Sequence, residues 1–227
     1  MKKLLTLLLA LSLLLGLSGC GKATPEDVLK KAYEKTRELK SFSLTVDAEA
    51  SLSGLKMDFD DLLTLKLDKL KEKMPNVEVD FSLSFFGQSL SMKRWMVDGK
   101  IYEQDDDGEI KVSDAQQGEA PDTKDVDILK YVKVLSMEED GKNKVLSLEI
   151  DMNKIKEEME QAGSALDSLT DELGNADFSN LKVTIDPSYH IIKASVAYDG
   201  NVEGIQASAE LSCDFFDFDN TAVKAPK

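Results

Sequence analysis

The chain has 227 residues, of which 42% are hydrophobic and 31% charged, a balance that suits one domain with its own core and excludes a disordered or fibrous polypeptide. Two Cys and a single His argue against a disulfide scaffold, zinc chemistry and most His-dependent catalysis. A formal charge of −15 opposes nucleic-acid binding, which depends on Lys and Arg releasing counterions from phosphates, and opposes adsorption on anionic lipid headgroups.

Met1 to Lys3 form a basic start and Leu4 to Leu15 an apolar run broken only by Thr6 and Ser12. Twelve residues cover roughly 18 Å at 1.5 Å each, short of a ~30 Å hydrocarbon core, so this is a secretory signal and not a spanning helix. The end of the run, Leu17-Ser18-Gly19-Cys20, resembles the lipobox of bacterial lipoproteins. By that resemblance Leu17, Ser18 and Gly19 are recognised, residues 1–19 are removed, and Cys20 becomes the lipidated first residue. Two acyl chains at about 0.8 kcal/mol per buried methylene give stable anchoring. The expected location is therefore extracytoplasmic, lipid-anchored to the bacterial cell membrane. Removing Lys2 and Lys3 leaves 26 basic and 43 acidic side chains, a balance of −17, so the membrane is reached through the acyl anchor rather than through surface charge.

Residues 20–24 read as lipidated Cys and tether, 25–220 as a single domain and 221–227 as a C-terminal tail. Thr24, Pro25, Glu26 and Asp27 start a helix, and Val28, Leu29, Ala32, Tyr33, Thr36 and Leu39 give it one apolar side over 25–40. Phe42, Leu44, Val46, Ala48, Ala50 and Leu52 alternate with polar residues and predict a long strand. Leu63, Leu67, Leu70 and Met74 fall at helical spacing ahead of Pro75, which predicts a helix over 60–74. Val77 to Phe85 and Leu90 to Val97 are strands around Gly87-Gln88, followed by hairpins at Asp98-Gly99 and Asp107-Gly108.

A polar loop over 113–122 leads to a short helix carrying Val126, Leu129 and Val132, then a hairpin over 135–150 turns at Asp140-Gly141. Met152, Ile155, Met159, Ala162, Leu166, Leu169 and Leu173 step by three or four and predict a long amphipathic helix closed by Gly174-Asn175. Strands over 181–186, 190–198 and 202–216, with turns at Pro187-Ser188 and Asp199-Gly200, finish the chain. The sum is an α+β fold: about eight antiparallel strands in a curved sheet, with three or four amphipathic helices on the concave side.

The helix ending in Leu39-Lys40-Ser41-Phe42 before a long alternating strand, the Trp95 to Tyr102 hairpin of "dGkiY" type, and a late helix followed by Lys182 to Asp186 and Ile191 to Val196 together resemble Gram-positive lipoproteins of the LolA and LppX-like superfamily, over nearly the whole mature chain. The resemblance implies an incomplete β-barrel closed by helices around an apolar cavity. In LolA-like carriers that cavity takes up acyl chains of lipoproteins, and in LppX-like proteins it takes up lipids. LolA itself is a soluble periplasmic protein, whereas this chain carries an anchoring signal.

No H-E-x-x-H, G-x-S-x-G, Walker loop or C-x-x-C occurs, so no enzyme, cofactor or metal site is expected. Glu103, Asp105, Asp107, Gly108, Ile110 and Asp114 approximate a calcium loop, yet their flanks read as strands, and a solvated Asp-Gly hairpin fits better. Ten acids lie between Glu103 and Asp127 against Lys111 and Lys124 alone, a solubilising stretch. Cys213 shares a strand face with Ala207, Ala209, Leu211 and Phe215 and reads as a core thiol. Arg94 has two readings. It shares parity with Leu90, Met92 and Met96, which would put it at a cavity mouth where its planar fork could grip a phosphate or carboxylate; alternatively Trp95 and Val97 face inward and Arg94 faces solvent.

Leu44, Val46, Phe81, Leu83, Met92, Arg94, Met96, Met152, Ile155 and Met159 are the candidate cavity residues. The expected function is non-catalytic binding or carriage of a lipid or other apolar molecule. The alternative is an envelope interaction module with a filled core, its protein partner unread.

Overall fold

The computed structural model describes residues 23–85, 88–105, 107–115, 128–151, 153–154, 177–202 and 205–226. Helix α1 (Pro25–Glu38) begins as the sequence predicts. The Thr24 hydroxyl accepts from the Asp27 backbone N–H at 3.1 Å and the Asp27 carboxylate accepts from the Thr24 N–H, a reciprocal cap that contributes about 1 kcal/mol. Eleven strands follow among the described residues: β1 (Phe42–Leu52), β2 (Leu55–Asp68), β3 (Asn76–Phe85), β4 (Gln88–Val97), β5 (Lys100–Gln104), β6 (Ile110–Asp114), β7 (Val132–Asp140), β8 (Asn143–Ile150), β9 (Asp177–Ile185), β10 (Ile191–Val202) and β11 (Ile205–Phe216).

They form one antiparallel sheet in the order β6-β5-β4-β3-β2-β1-β11-β10-β9-β8-β7. The two halves of the chain are joined where β1 pairs with β11 along Ser43 to Leu52. The sheet does not close, because β6 and β7 are its two edges, so it is a curved half-barrel whose inner face carries α1. Two-residue turns link several neighbours. Ser53-Gly54 and Asp98-Gly99 have positive φ at both positions (49° and 84°; 49° and 78°), the geometry that matches strand twist and that Gly and Asp tolerate.

Three sequence expectations are corrected. Residues 60–74 are not a helix: β2 runs through Asp68, with Leu63, Leu65 and Leu67 opposite Phe81, Val79 and Val77. Met74 lies in the following turn, 3.8 Å from where a Cβ on Gly99 would stand. The short helix expected around Val126, Leu129 and Val132 is a 3-10 turn over Ile128–Tyr131, and Val132 opens β7, while Val126 lies outside the described residues. The expected turn at Asp199-Gly200 is instead strand, paired with Ser208 and Ala207, and β10 continues to Val202 opposite Ile205. The long helix predicted from Met152 onward lies outside the described residues apart from 153–154.

The inner core is the contact of α1 with the β8–β9 end of the sheet: Val28, Leu29 and Ala32 against Leu146, Leu148, Val183 and Ile185. A second, smaller core sits on the outer face, where Trp95 and Val97 are covered by Val223 of the C-terminal segment. That segment is fastened beside β1: Asp219 N–H donates to the Ser41 carbonyl at 2.8 Å and Thr221 N–H to the Ser41 hydroxyl at 3.1 Å. The Ser43 and Thr221 hydroxyls share a hydrogen bond at 2.8 Å.

On the outer face Asp58, Glu49 and Glu210 stand in one cross-strand row, since Glu49 pairs with Asp58 on β2 and with Glu210 on β11. Like charges directly opposite destabilise a sheet. Glu49→Lys is expected to raise the melting temperature by about 1–3 °C at low ionic strength, a gain that shrinks in high salt. A melting scan at two salt concentrations checks it, and an unchanged or lower midpoint at low salt would count against the repulsion.

Candidate functional site

Partners opposite each other in an antiparallel pair point to the same face, so the register traces rows across the inner face. One row runs Met92, Phe81, Leu63, Val46, Cys213, Ala194, Val183, Leu146 and Met137, from β4 through β3, β2, β1, β11, β10, β9 and β8 to β7. Every member is apolar or a thiol. The adjoining row runs Arg94, Val79, Leu65, Leu44 and Phe215.

Burial along the first row is uneven. Leu146, under α1, is 0% exposed, whereas Met92 at the other end is 47% exposed and Leu90 beside it 60%. Between them Val46, Leu63, Phe81, Ala194 and Cys213 are half-buried. The helix thus covers one end of a row that is apolar throughout.

The structure brings Leu44, Val46, Phe81, Leu83, Met92, Arg94 and Met96 onto this one face. Met152, Ile155 and Met159 lie outside the described residues. Leu63, Leu65 and Leu67 belong to the same face and were hidden by the helical reading of their segment, although Thr64, Lys66 and Asp68 between them supply the period-2 signal.

The register also decides between the two readings of Arg94. Trp95 and Val97 face outward onto Val223, so Arg94 is on the inner face, opposite Val79 and Glu103. Its Nε lies 3.1 Å from Glu103 Oε1, and the side chains are 46% and 53% exposed. The Asp105 carboxylate of the β5–β6 hairpin is engaged by Lys111 at 3.1 Å and by the Glu109 N–H at 2.9 Å, and Lys111 first of all holds its pKa below the usual carboxylate value. Among the described residues no group of three or more His, Cys, Asp or Glu is placed to hold a metal ion.

Cys213 is half-buried, and desolvation, with Asp214 and Asp47 adding to it, pushes its thiol pKa up. An uncharged thiol suits an apolar row and is a slow nucleophile. His190, the single histidine, is tied into the β9–β10 turn, its Nδ1 3.2 Å from Asp186 Oδ2 and its ring stacked on Phe218 at 4.5 Å. It lies on a different hairpin from Cys213, and Asp186 also accepts from the Ser188 and His190 N–H groups, so its work is to close the turn.

Two clefts lie elsewhere. One of about 250 Å³ is on the outer side, lined by Glu49, Asp58, Asp199 and Glu210 among others. Another of about 540 Å³ sits at the end of β7 and β8, where Lys133 pairs with Glu149 at 3.1 Å and Lys154 with Asp151 at 3.3 Å. Both have mixed polar and apolar linings, and the inner apolar row belongs to neither.

No family model matches the sequence, and no curated protein matches it. Among solved structures, the chain is similar to LprF from Mycobacterium bovis, at 10% identity and a TM-score of 0.47 over 91% of this chain and 99% of that one. A DUF1329 family protein from Desulfovibrio piger aligns at 7% identity and a TM-score of 0.32, covering 85% of this chain and 90% of that one. The ywiB protein from Bacillus subtilis aligns at 8% identity and a TM-score of 0.22, covering 79% and 96%. The eleven-stranded, unclosed antiparallel sheet with a helix on its inner face is the half-barrel that the sequence resemblance implies. No helix among the described residues is long and apolar enough to cross a membrane.

Proposed function

We propose that this chain is an extracytoplasmic carrier, anchored by acyl chains on Cys20, that holds a lipid or other apolar molecule non-covalently on the inner face of its half-barrel. The observation that supports this reading is the mismatch, among the described residues, between a row that is apolar across nine strands and a helix α1 that packs on its β8–β9 end. Apolar side chains left in water cost about 25 cal/mol per Å², and an acyl chain laid along Val46, Leu63, Phe81 and Met92 removes that cost without any reacting group. Met92 and Met96 suit such a surface, since unbranched thioethers adapt to ligands of varied shape. The anchor confines the carrier to the membrane from which a lipid is drawn or to which it is delivered.

Residues 22–227, which contain every residue of the described fold, have Cys213 as their one thiol. Expressed in bacteria without Cys20, this protein is expected to carry a discrete lipid mass at near-stoichiometric level in native mass spectrometry. Stripping the lipid is expected to speed alkylation of Cys213 by a neutral maleimide, because Cys213 sits in the middle of the row. A clean apo mass, with Cys213 reacting at the same rate before and after lipid is added, would favour the filled-core interaction module instead.

A further inference from the structure

Among the described residues Arg94 is the one charged residue at the paired inward positions of β1 to β4 and β11, Asp61 lying where the β1–β2 register slips: the others on that face are Phe42, Leu44, Val46, Ala48, Ala50 and Leu52 on β1, and their apolar or thiol partners on the flanking strands. Its neighbours on β4 at the same parity are Met92 and Met96, and across the ladder Glu103 stands opposite it and Lys111 opposite Glu103, so it stands where the open end of the apolar row meets the charged β5–β6 edge. Its ion pair with Glu103 runs through Nε and a single carboxylate oxygen. Among the described residues no other ion pair or hydrogen bond engages the guanidinium, so the two-pronged contact for which its planar fork is suited is not made.

We infer that Arg94 is the headgroup site of the carried ligand, which is therefore an anionic amphiphile: an oxyanion, carboxylate or phosphate, binds the guanidinium while the attached chain lies along Met92, Phe81, Leu63 and Val46. This rests on the carrier reading above and narrows its ligand class. Glu103 is the occupant of the empty site. The pair is about half exposed, where water screens it and it holds weakly. Laying an acyl chain on the adjacent row drives water from around Arg94, which strengthens a bidentate contact with the ligand's anion. Exchange of the Glu103 carboxylate for the ligand's own needs no covalent step and no change in net charge at Arg94.

The test uses residues 22–227 stripped of lipid, with protection of Cys213 from maleimide as readout, and two probes of equal chain length below their aggregation limits: palmitate and hexadecanol. Wild type is expected to bind palmitate about tenfold more tightly than hexadecanol. Arg94→Gln is expected to lose that preference, and Glu103→Gln, which removes the competing carboxylate, is expected to tighten palmitate binding several-fold. Equal palmitate preference in wild type and Arg94→Gln would overturn the headgroup assignment and leave the carrier reading standing. Failure of both probes to protect Cys213 in any variant would overturn the carrier reading itself. Inorganic phosphate at millimolar concentration is expected not to displace palmitate, since it lacks the chain; displacement would reassign Arg94 to a free anion.

Discussion

Leu146→Ala is expected to destabilise the domain by about 3 kcal/mol, within the 2–5 kcal/mol range of large-to-small core substitutions, whereas Met92→Ala on the same row is expected to cost under about 1 kcal/mol. The two residues belong to one continuous ladder, linked through Phe81, Leu63, Val46, Cys213, Ala194 and Val183. They differ in what lies over them. Leu146 is 0% exposed and packs under Val28, Leu29 and Ala32 of α1, so truncation leaves a cavity between helix and sheet that its surroundings fill only in part. Met92 is half exposed, and truncating it removes surface that water already reaches. Lipid retention should rank the other way: Met92→Ala weakens it at unchanged stability, and Leu146→Ala alters it only through the folded fraction. Urea titrations give the first ranking and native mass spectrometry the second. Equal destabilisation by the two substitutions would mean that the β4 end is core, and the carrier reading would fall with it.

How far the sequence foretold this arrangement depends on the kind of signal each element carries. Local signals sufficed where the chemistry is local. The Thr24-Pro25-Glu26-Asp27 start of α1 forms its cap between residues three apart, and Asp98-Gly99 makes its turn through its own positive φ values. The β2 segment misled because two periods coexist in it: Leu63, Leu67, Leu70 and Met74 step like a helix, Leu63, Leu65 and Leu67 like a strand. Asp61 deepens the ambiguity. It sits at φ 51°, where the ladder slips between Val46 and Ala48, and its N–H is held by the Asp47 carboxylate at 2.8 Å, so a charge interrupts the alternation of Met57, Phe59 and Leu63.

Asp199-Gly200 reads as a turn but serves another purpose. A Cβ at Gly200 would run into the Tyr198 hydroxyl two residues earlier on the same face, so the glycine makes room inside a strand. The inward face of Arg94, finally, was undecidable from β4 alone, because Met96 and Trp95 are both large and apolar. What resolves it is the covering of Trp95 by Val223, a contact between residues far apart in sequence that no window of local pattern contains.

Removing residues 221–227 is expected to lower stability by roughly 3 kcal/mol, a fall of about 6–12 °C in the melting midpoint for a domain of this size, and to shift the emission of Trp95 to longer wavelength. The C-terminal segment crosses the outer face from β1 toward β5. Thr221 ties to Ser41 and Ser43, and Val223, 4% exposed, packs on Trp95 and Val97 with Tyr102 alongside. Burial of one valine contributes about 1.5–3 kcal/mol, and each hydrogen bond about 1 kcal/mol net, more when its loss strands a buried partner. Ser43 would be such a partner, being 1% exposed. Beneath the segment, the row Ser43, Lys66, Glu78 and Trp95 includes a 3.0 Å ion pair of Lys66 with Glu78 whose carboxylate side chain is only 15% exposed, so uncovering the row also rehydrates that pair. Trp95 is the chain's single tryptophan, and its emission therefore reports the segment's docking without interference. Two point variants separate the contributions: Val223→Ala should give the red shift with a smaller loss of stability, and Thr221→Val, which keeps the volume, should lose stability with little shift. A truncated chain that melts like the full one, with unchanged emission, would show that the sheet holds its outer face without this strap.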